Sequence, residues 1–167
     1  QPTGTSKLCL SCHDGTVALG MLISRKEAGL PEVRMIGGVT SMPLGASRLG
    51  TDLADDHPIS FTFDSALAAA NGQLRQPASL TGRVRLEDGK VQCISCHDPH
   101  NDQFGKFLVQ NNAGSALCLN CHAPRSWETS SHKLSGSTWN GSGVNPWPHT
   151  GGTTVANNAC ENCHTPH

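Results

Sequence analysis

Apolar positions fall into short runs, and few are periodic. The longest apolar stretch covers residues 16–23, far too short to span a bilayer. One segment alternates as a strand does. Val84 and Leu86 alternate with Arg83 and Arg85, Asp88-Gly89 offers a two-residue turn, and Val91 and Cys93 flank Gln92. This pattern predicts one small β-hairpin. The Ala-rich run 65–70 reads as a short helix, capped by Asp64 and closed by Gly72. Further short helices are expected where Ser6, Ser115 and Asn157 each stand three residues before a cysteine, at N-cap spacing. Residues 129–158 are rich in Ser, Thr, Asn and Gly, with Trp139, Pro146, Trp147 and Pro148, and read as ordered loop rather than linker. Asn140-Gly-Ser142 is a glycosylation sequon by pattern alone. The whole chain, residues 1–167, is expected to form a single domain that is mostly irregular.

Composition makes an ordinary apolar core implausible. Hydrophobic residues are 36% and aromatics 4%, Tyr is absent, and there are 18 Gly and 10 Pro. Such a chain cannot bury enough side-chain surface to offset about 1–2 kcal/mol of backbone entropy per residue. Disorder is the plain alternative, but disordered chains combine low hydrophobicity with high charge. Here the net charge is −1 and charged residues are 15%. With no basic cluster either, nucleic acid is not an expected partner. The chain needs something else to fold around.

Its cysteines supply a candidate. All eight fall into Cys-x-x-Cys pairs: Cys9 and Cys12, Cys93 and Cys96, Cys118 and Cys121, Cys160 and Cys163. Each pair is followed at once by a histidine: His13, His97, His122 and His164. Two thiols at this spacing form thioethers to the vinyl groups of haem, and the next residue offers an imidazole to the iron. A disulfide framework, paired zinc knuckles or a thiol redox site would use the cysteines but would not demand the adjacent His. With 9 His in 167 residues, random placement would put one after all four pairs with a chance on the order of 10⁻⁵. The expected cofactors are therefore four haem c groups. Haem of this type is attached outside the cytoplasm, so the chain is expected to be exported. Gln1 reads as lying at or just after a processed terminus.

The second axial ligand decides what each iron can do. An open position allows substrate chemistry, whereas a second strong ligand restricts the haem to electron transfer. Five His lie outside the motifs: His57, His100, His132, His149 and His167. Four distal ligands are needed, so the reading is bis-His ligation at every iron with one His to spare. Met21, Met35 and Met42 are the alternative at one iron. Pro58 holds His57 extended, and Asp55 and Asp56 could accept its second ring N–H. His132 and His149 sit in the polar loop, where Trp147 could cover a haem face. His100 and His167 both follow the pattern Cys-His-x-Pro-His. Three residues reach at most about 10 Å, too little to round the macrocycle. Each must serve a different haem from the one beside it, or none.

Several stretches carry a family likeness: Leu8-Cys-Leu-Ser-Cys-His-Asp-Gly-Thr-Val17, Asp56-His-Pro-Ile-Ser-Phe61, Gly89-Lys-Val-Gln-Cys-Ile-Ser-Cys-His-Asp-Pro-His100, Asn112-Ala-Gly-Ser-Ala-Leu-Cys118 and Asn158-Ala-Cys-Glu-Asn-Cys-His-Thr-Pro-His167. They resemble the doubled-motif multihaem cytochromes c of metal-reducing and related microbes, and most of the chain takes part. Among these, the short four-haem members resemble subunits of extracellular cytochrome nanowires. The resemblance implies little regular secondary structure, a haem stack in place of a core, and His57 as a distal ligand. It also implies end-to-end homopolymers, with an axial His able to cross the subunit boundary. The expected function is long-range electron transfer outside the cell, to other redox proteins or extracellular acceptors. A monomeric periplasmic or cell-surface shuttle is the alternative. A multihaem reductase is disfavoured by the surplus of His and by the lack of any Cys-x-x-Cys-Lys variant, so the chain is read as a carrier and not an enzyme.

Overall fold

The computed structural model describes residues 1–145, 147 and 153–167. Seven short α-helices lie in it: α1 (Gly4–His13), α2 (Ile23–Glu27), α3 (Ser65–Asn71), α4 (Cys93–Cys96), α5 (Cys118–Cys121), α6 (Ser131–Leu134) and α7 (Val155–Asn158). Five 3₁₀ turns lie between or after them. Among the described residues no strand forms, only isolated antiparallel bridges. Among the described residues no helix is long and apolar enough to cross a membrane. The backbone divides into two compact units, Gln1–Ser60 with Pro166–His167, and Phe61–Thr165.

α3 forms as its sequence predicts. Asp64 is extended, and its carboxylate accepts the Leu67 N–H at 2.8 Å. Gly72, at φ 69°, ends the helix by donating its N–H to the Ala68 carbonyl.

The hairpin does not form beyond its turn. Asp88 and Gly89 take φ 50° and 73°, the left-handed pair a two-residue turn needs, and Glu87 and Lys90 exchange both backbone bonds at 3.0 and 2.9 Å. The returning arm then chooses another partner. Gly89 O accepts from Phe63 N at 2.9 Å, and Val91 N donates to Phe61 O at 3.2 Å. Gln92 caps α4 through Ser95, so Cys93 starts a helix and leaves the alternation.

The expected N-caps before the cysteines are also displaced. α1 starts one turn earlier, capped at Thr3, and Ser6 lies inside it, fully buried. Ser115 sits in the turn Ala113–Ser115, where its Oγ accepts the Cys160 N–H at 2.9 Å and donates to Asn158 O at 3.1 Å. Asn157 lies within α7, which is capped by Thr154. Ser115 serves a contact with a segment far along the chain, which sequence spacing cannot reveal.

The interior is as polar as it is apolar. Leu10, Phe63, Ala68, Val91 and Val109 are buried, but the most enclosed large side chains are Asn158, Ser6 and Ser115. Meanwhile Ile36 is 99% exposed and Leu44 87%. Hydrogen bonds rather than packed hydrocarbon hold these segments. Ser115→Ala should therefore lower stability by about 1–3 kcal/mol, because it strands a buried N–H and a buried carbonyl at once. Asp64→Ala, which removes one exposed cap, should cost about 1 kcal/mol. Thermal melts of the two variants side by side check the order.

Candidate haem-binding site

The second and third motifs are built alike. Cys93–Cys96 and Cys118–Cys121 are each one helical turn, which sets both thiols on one face. The following His leaves the helix into extended backbone, at φ −119° for His97 and −92° for His122. Each donates its N–H back to the first cysteine's carbonyl at 2.9 Å. A neighbouring extended segment then clamps each turn. Val109 N donates to Cys96 O at 2.9 Å, and Arg75 N donates to Cys121 O at 2.7 Å. Leu108 bridges His97, and Leu74 bridges His122.

The ring nitrogens tell which face of a histidine is offered. His97 Nδ1 lies 2.9 Å from the Lys106 carbonyl, and His13 Nδ1 lies 2.7 Å from the Ser47 carbonyl. A carbonyl only accepts, so Nδ1 carries the proton and the neutral ring leaves its lone pair on Nε2. That is the tautomer a metal-ligating imidazole needs, with its orientation fixed by the bond behind it. Two thiols one turn apart, followed by a histidine so oriented, fit covalently bound haem.

The first and fourth motifs have their own supports. α1 carries Cys9, Cys12 and His13, and Leu49 N donates to His13 O at 2.8 Å. Gly15, at φ 76°, allows the chain to pass Arg48, whose Nε would lie 2.2 Å from a Cβ there. The fourth motif is a 3₁₀ turn, Ala159–Asn162, entered through Ala159 at φ 43°. Asn162 anchors it, donating to Val155 O at 2.9 Å and accepting the Trp147 indole N–H at 2.8 Å. Asn120 plays the matching part in the third motif, accepting from Thr81 N at 2.8 Å and donating to Gln110 at 3.0 Å. The residue before the second cysteine is Ser11, Ser95, Asn120 and Asn162 in the four motifs. That polar column was a signal in the sequence, and in the third and fourth motifs it marks residues that tie the attachment turn to its surroundings.

Among the described residues no disulfide joins any of the eight cysteines. Among the described residues no three His, Cys, Asp or Glu converge as a metal cluster. Burial pushes the Cys96 thiol up to about 11, with the charges of Cys121 and Cys93 adding to it. Burial also raises Cys121. Cys118 is raised chiefly by its hydrogen bond with Cys160, and the same bond lowers Cys160. Sulfurs of the second, third and fourth motifs thus share one neighbourhood within Phe61–Thr165.

Of the candidate distal ligands, His57 and His167 lie in the same unit as the first motif. His57 N donates to Pro166 O at 2.8 Å, which holds the end of the chain beside it. His57 Nδ1 lies 3.0 Å from the Pro58 carbonyl. Asp56 is raised by burial and by Asp55, and His167 acts against that rise. His100 is exposed, with Nδ1 3.7 Å from Asp98, and Arg83 holds that carboxylate at 2.8 Å. His132 is exposed in α6, and His149 lies outside the described residues. Met21, Met35 and Met42 lie in the first unit.

Comparison with known families places one part of this geometry. The family model described as the doubled CXXCH motif matches residues 86–126, which contain the second and third motifs. No curated protein matches the chain. The match falls on the two attachment turns that share a common construction, and for that region it supports a likeness to multihaem c-type cytochromes, which bind haem c covalently and transfer electrons.

Proposed function

We propose that this protein carries four bis-His haem c groups and conducts electrons over long distances as the repeating subunit of an extracellular filament. The bond from a proximal histidine's Nδ1 to a backbone carbonyl carries the reading. It is present at both His13 and His97, in separate units, and its use is to aim Nε2 at a metal. The bound haem supplies one-electron redox chemistry. The chain's residues do the rest: the eight thiols attach, the four motif histidines ligate, His13 and His97 are held in place by backbone carbonyls, and His57, His100, His132, His149 and His167 are the pool of distal ligands. Close attachment points in Phe61–Thr165 suit electron hopping.

One observation favours a polymer over a monomeric shuttle. Met21, Leu22, Ile23, Leu30, Ile36 and Leu44 are exposed large apolar side chains within a single segment. Exposed apolar side chains concentrated in one stretch of chain suit an interaction site, and a second copy of the chain would cover them. Export to the cell surface, with other redox proteins or extracellular acceptors as partners, follows from this reading. The monomeric shuttle would instead remain in the periplasm or at the surface.

Mass measurement should find four haems per chain that resist acid-acetone extraction, and electron paramagnetic resonance should find four low-spin irons. Bound zinc would end the reading, and a high-spin iron that takes up carbon monoxide would point to a reductase. Negative-stain microscopy should show filaments, and single particles would favour the shuttle. His167→Ala should abolish the filaments and leave one high-spin iron per chain. Intact filaments with four low-spin irons would make His167 the idle histidine. Because the haems stand in for a core, a chain with all eight cysteines changed to Ala should show no cooperative melt. A sharp transition would mean that the polar network suffices alone.

A further inference from the structure

Beside the third motif lies a cavity of about 280 Å³ whose walls include Arg75, Leu119, His122, Trp127 and Glu128. Trp127 also lines it, and its indole Nε1 is buried without a hydrogen-bond partner. A buried, unpaired N–H is costly, and the other two tryptophans satisfy theirs, Trp139 on Ser142 O at 3.2 Å and Trp147 on Asn162 at 2.8 Å. Trp127 therefore stands apart as a donor awaiting an acceptor.

Its neighbour across the cavity is fixed by the motif itself. Arg75 donates its backbone N–H to Cys121 O and its Nε to Leu119 O, both at 2.7 Å, so the guanidinium is tied to the attachment turn. Glu128 would repel an anion, but it is paired with Lys133. Arg75, Trp127 and the proximal His122 thus line one cavity. A haem held at Cys118 and Cys121 carries only two charged peripheral groups, its propionates, and they are acceptors.

Resting on the haem reading of the third motif, we infer that Trp127 and Arg75 form a carboxylate-binding pair that receives a propionate of that haem. Trp127 is then a positioning and tuning residue. Its N–H offsets propionate charge, which otherwise favours the oxidised iron, and so raises that haem's potential.

The test is Trp127→Phe in the haem-loaded protein, which keeps an aromatic ring and removes the donor. Haem content and four low-spin irons should be unchanged. One reduction step should fall by about tenfold in its equilibrium constant, about 59 mV for a one-electron couple. The propionate bending band in resonance Raman should lose its sensitivity to D₂O. A full haem complement with every reduction step and the band unaltered would overturn the proposal and leave the haem reading standing. Lack of haem at Cys118 and Cys121 in the unaltered protein would instead remove the reading beneath it. If the variant fails to load haem, ultraviolet resonance Raman of the unaltered holoprotein decides. All three indoles should be hydrogen-bonded, and one free indole N–H would overturn the pairing.

Discussion

A haem that is both sewn to the chain and ligated by it must meet three groups whose relative positions barely vary. Two thiols must lie on one face of a turn, and an imidazole must present Nε2 from the residue that follows. The helical turn solves the first half cheaply, because positions three apart share a face. The second half cannot be solved inside the motif. A histidine in extended backbone has a free ring torsion, and only a partner behind it can hold the tautomer and the angle. The loops on either side of the motifs exist to deliver those partners. Residues 98–107 close on themselves through Asp98 N to Phe107 O at 2.7 Å and Phe107 N to Asp102 at 2.7 Å. Gly105, Lys106 and Phe107 are all left-handed there, at φ 75°, 52° and 57°. Left-handed backbone at two residues with side chains is strained. Here it directs the Lys106 carbonyl at His97.

The same constraint accounts for the polar interior. Loops that must arrive at fixed points need directional bonds, which hydrocarbon packing cannot give. Ser115 and Asn120 are buried, and each contacts segments distant in sequence: Ser115 joins the fourth motif, while Asn120 joins residues 81 and 110. Such networks are costly when incomplete and specific when satisfied. A chain with few hydrophobes can hold a defined geometry this way, provided that its apolar material is spent elsewhere.

What could be read in advance follows the same division. The attachment chemistry is local, so four repeated motifs disclose it without any fold. α3 is local too, since Asp64 and Gly72 act within one helix. The turn at Asp88-Gly89 was legible for the same reason, but its arms were not. Val91 prefers the backbone of Phe61, a choice made between segments far apart along the chain. The caps expected at Ser6, Ser115 and Asn157 failed alike: their spacing to cysteine was right for a cap, but Ser6 is buried inside α1, Ser115 bonds to the fourth motif, and α7 starts from a cap on Thr154 instead. Lys106 and Ser47 could not be found at all, because they act through carbonyl groups that every residue possesses.

The arrangement of sulfurs extends this reasoning from single sites to the path between them. Cys96 feels the charge of Cys121, and Cys118 shares a hydrogen bond with Cys160, so thiols of successive motifs are neighbours within one unit. Thioether bonds fix the vinyl edge of each haem at these atoms. On the haem reading, groups anchored at adjacent sulfurs have adjacent edges, whatever direction their planes take. Edge proximity is then a property of the anchoring turns and not of packing between large side chains. This gives a physical reason for tying the turns together with bonds such as Asn120 to Gln110 and Cys160 to Ser115. A small rotation of one turn would displace the anchored group at the end of a long lever, and the bonds that resist rotation lie at the fulcrum.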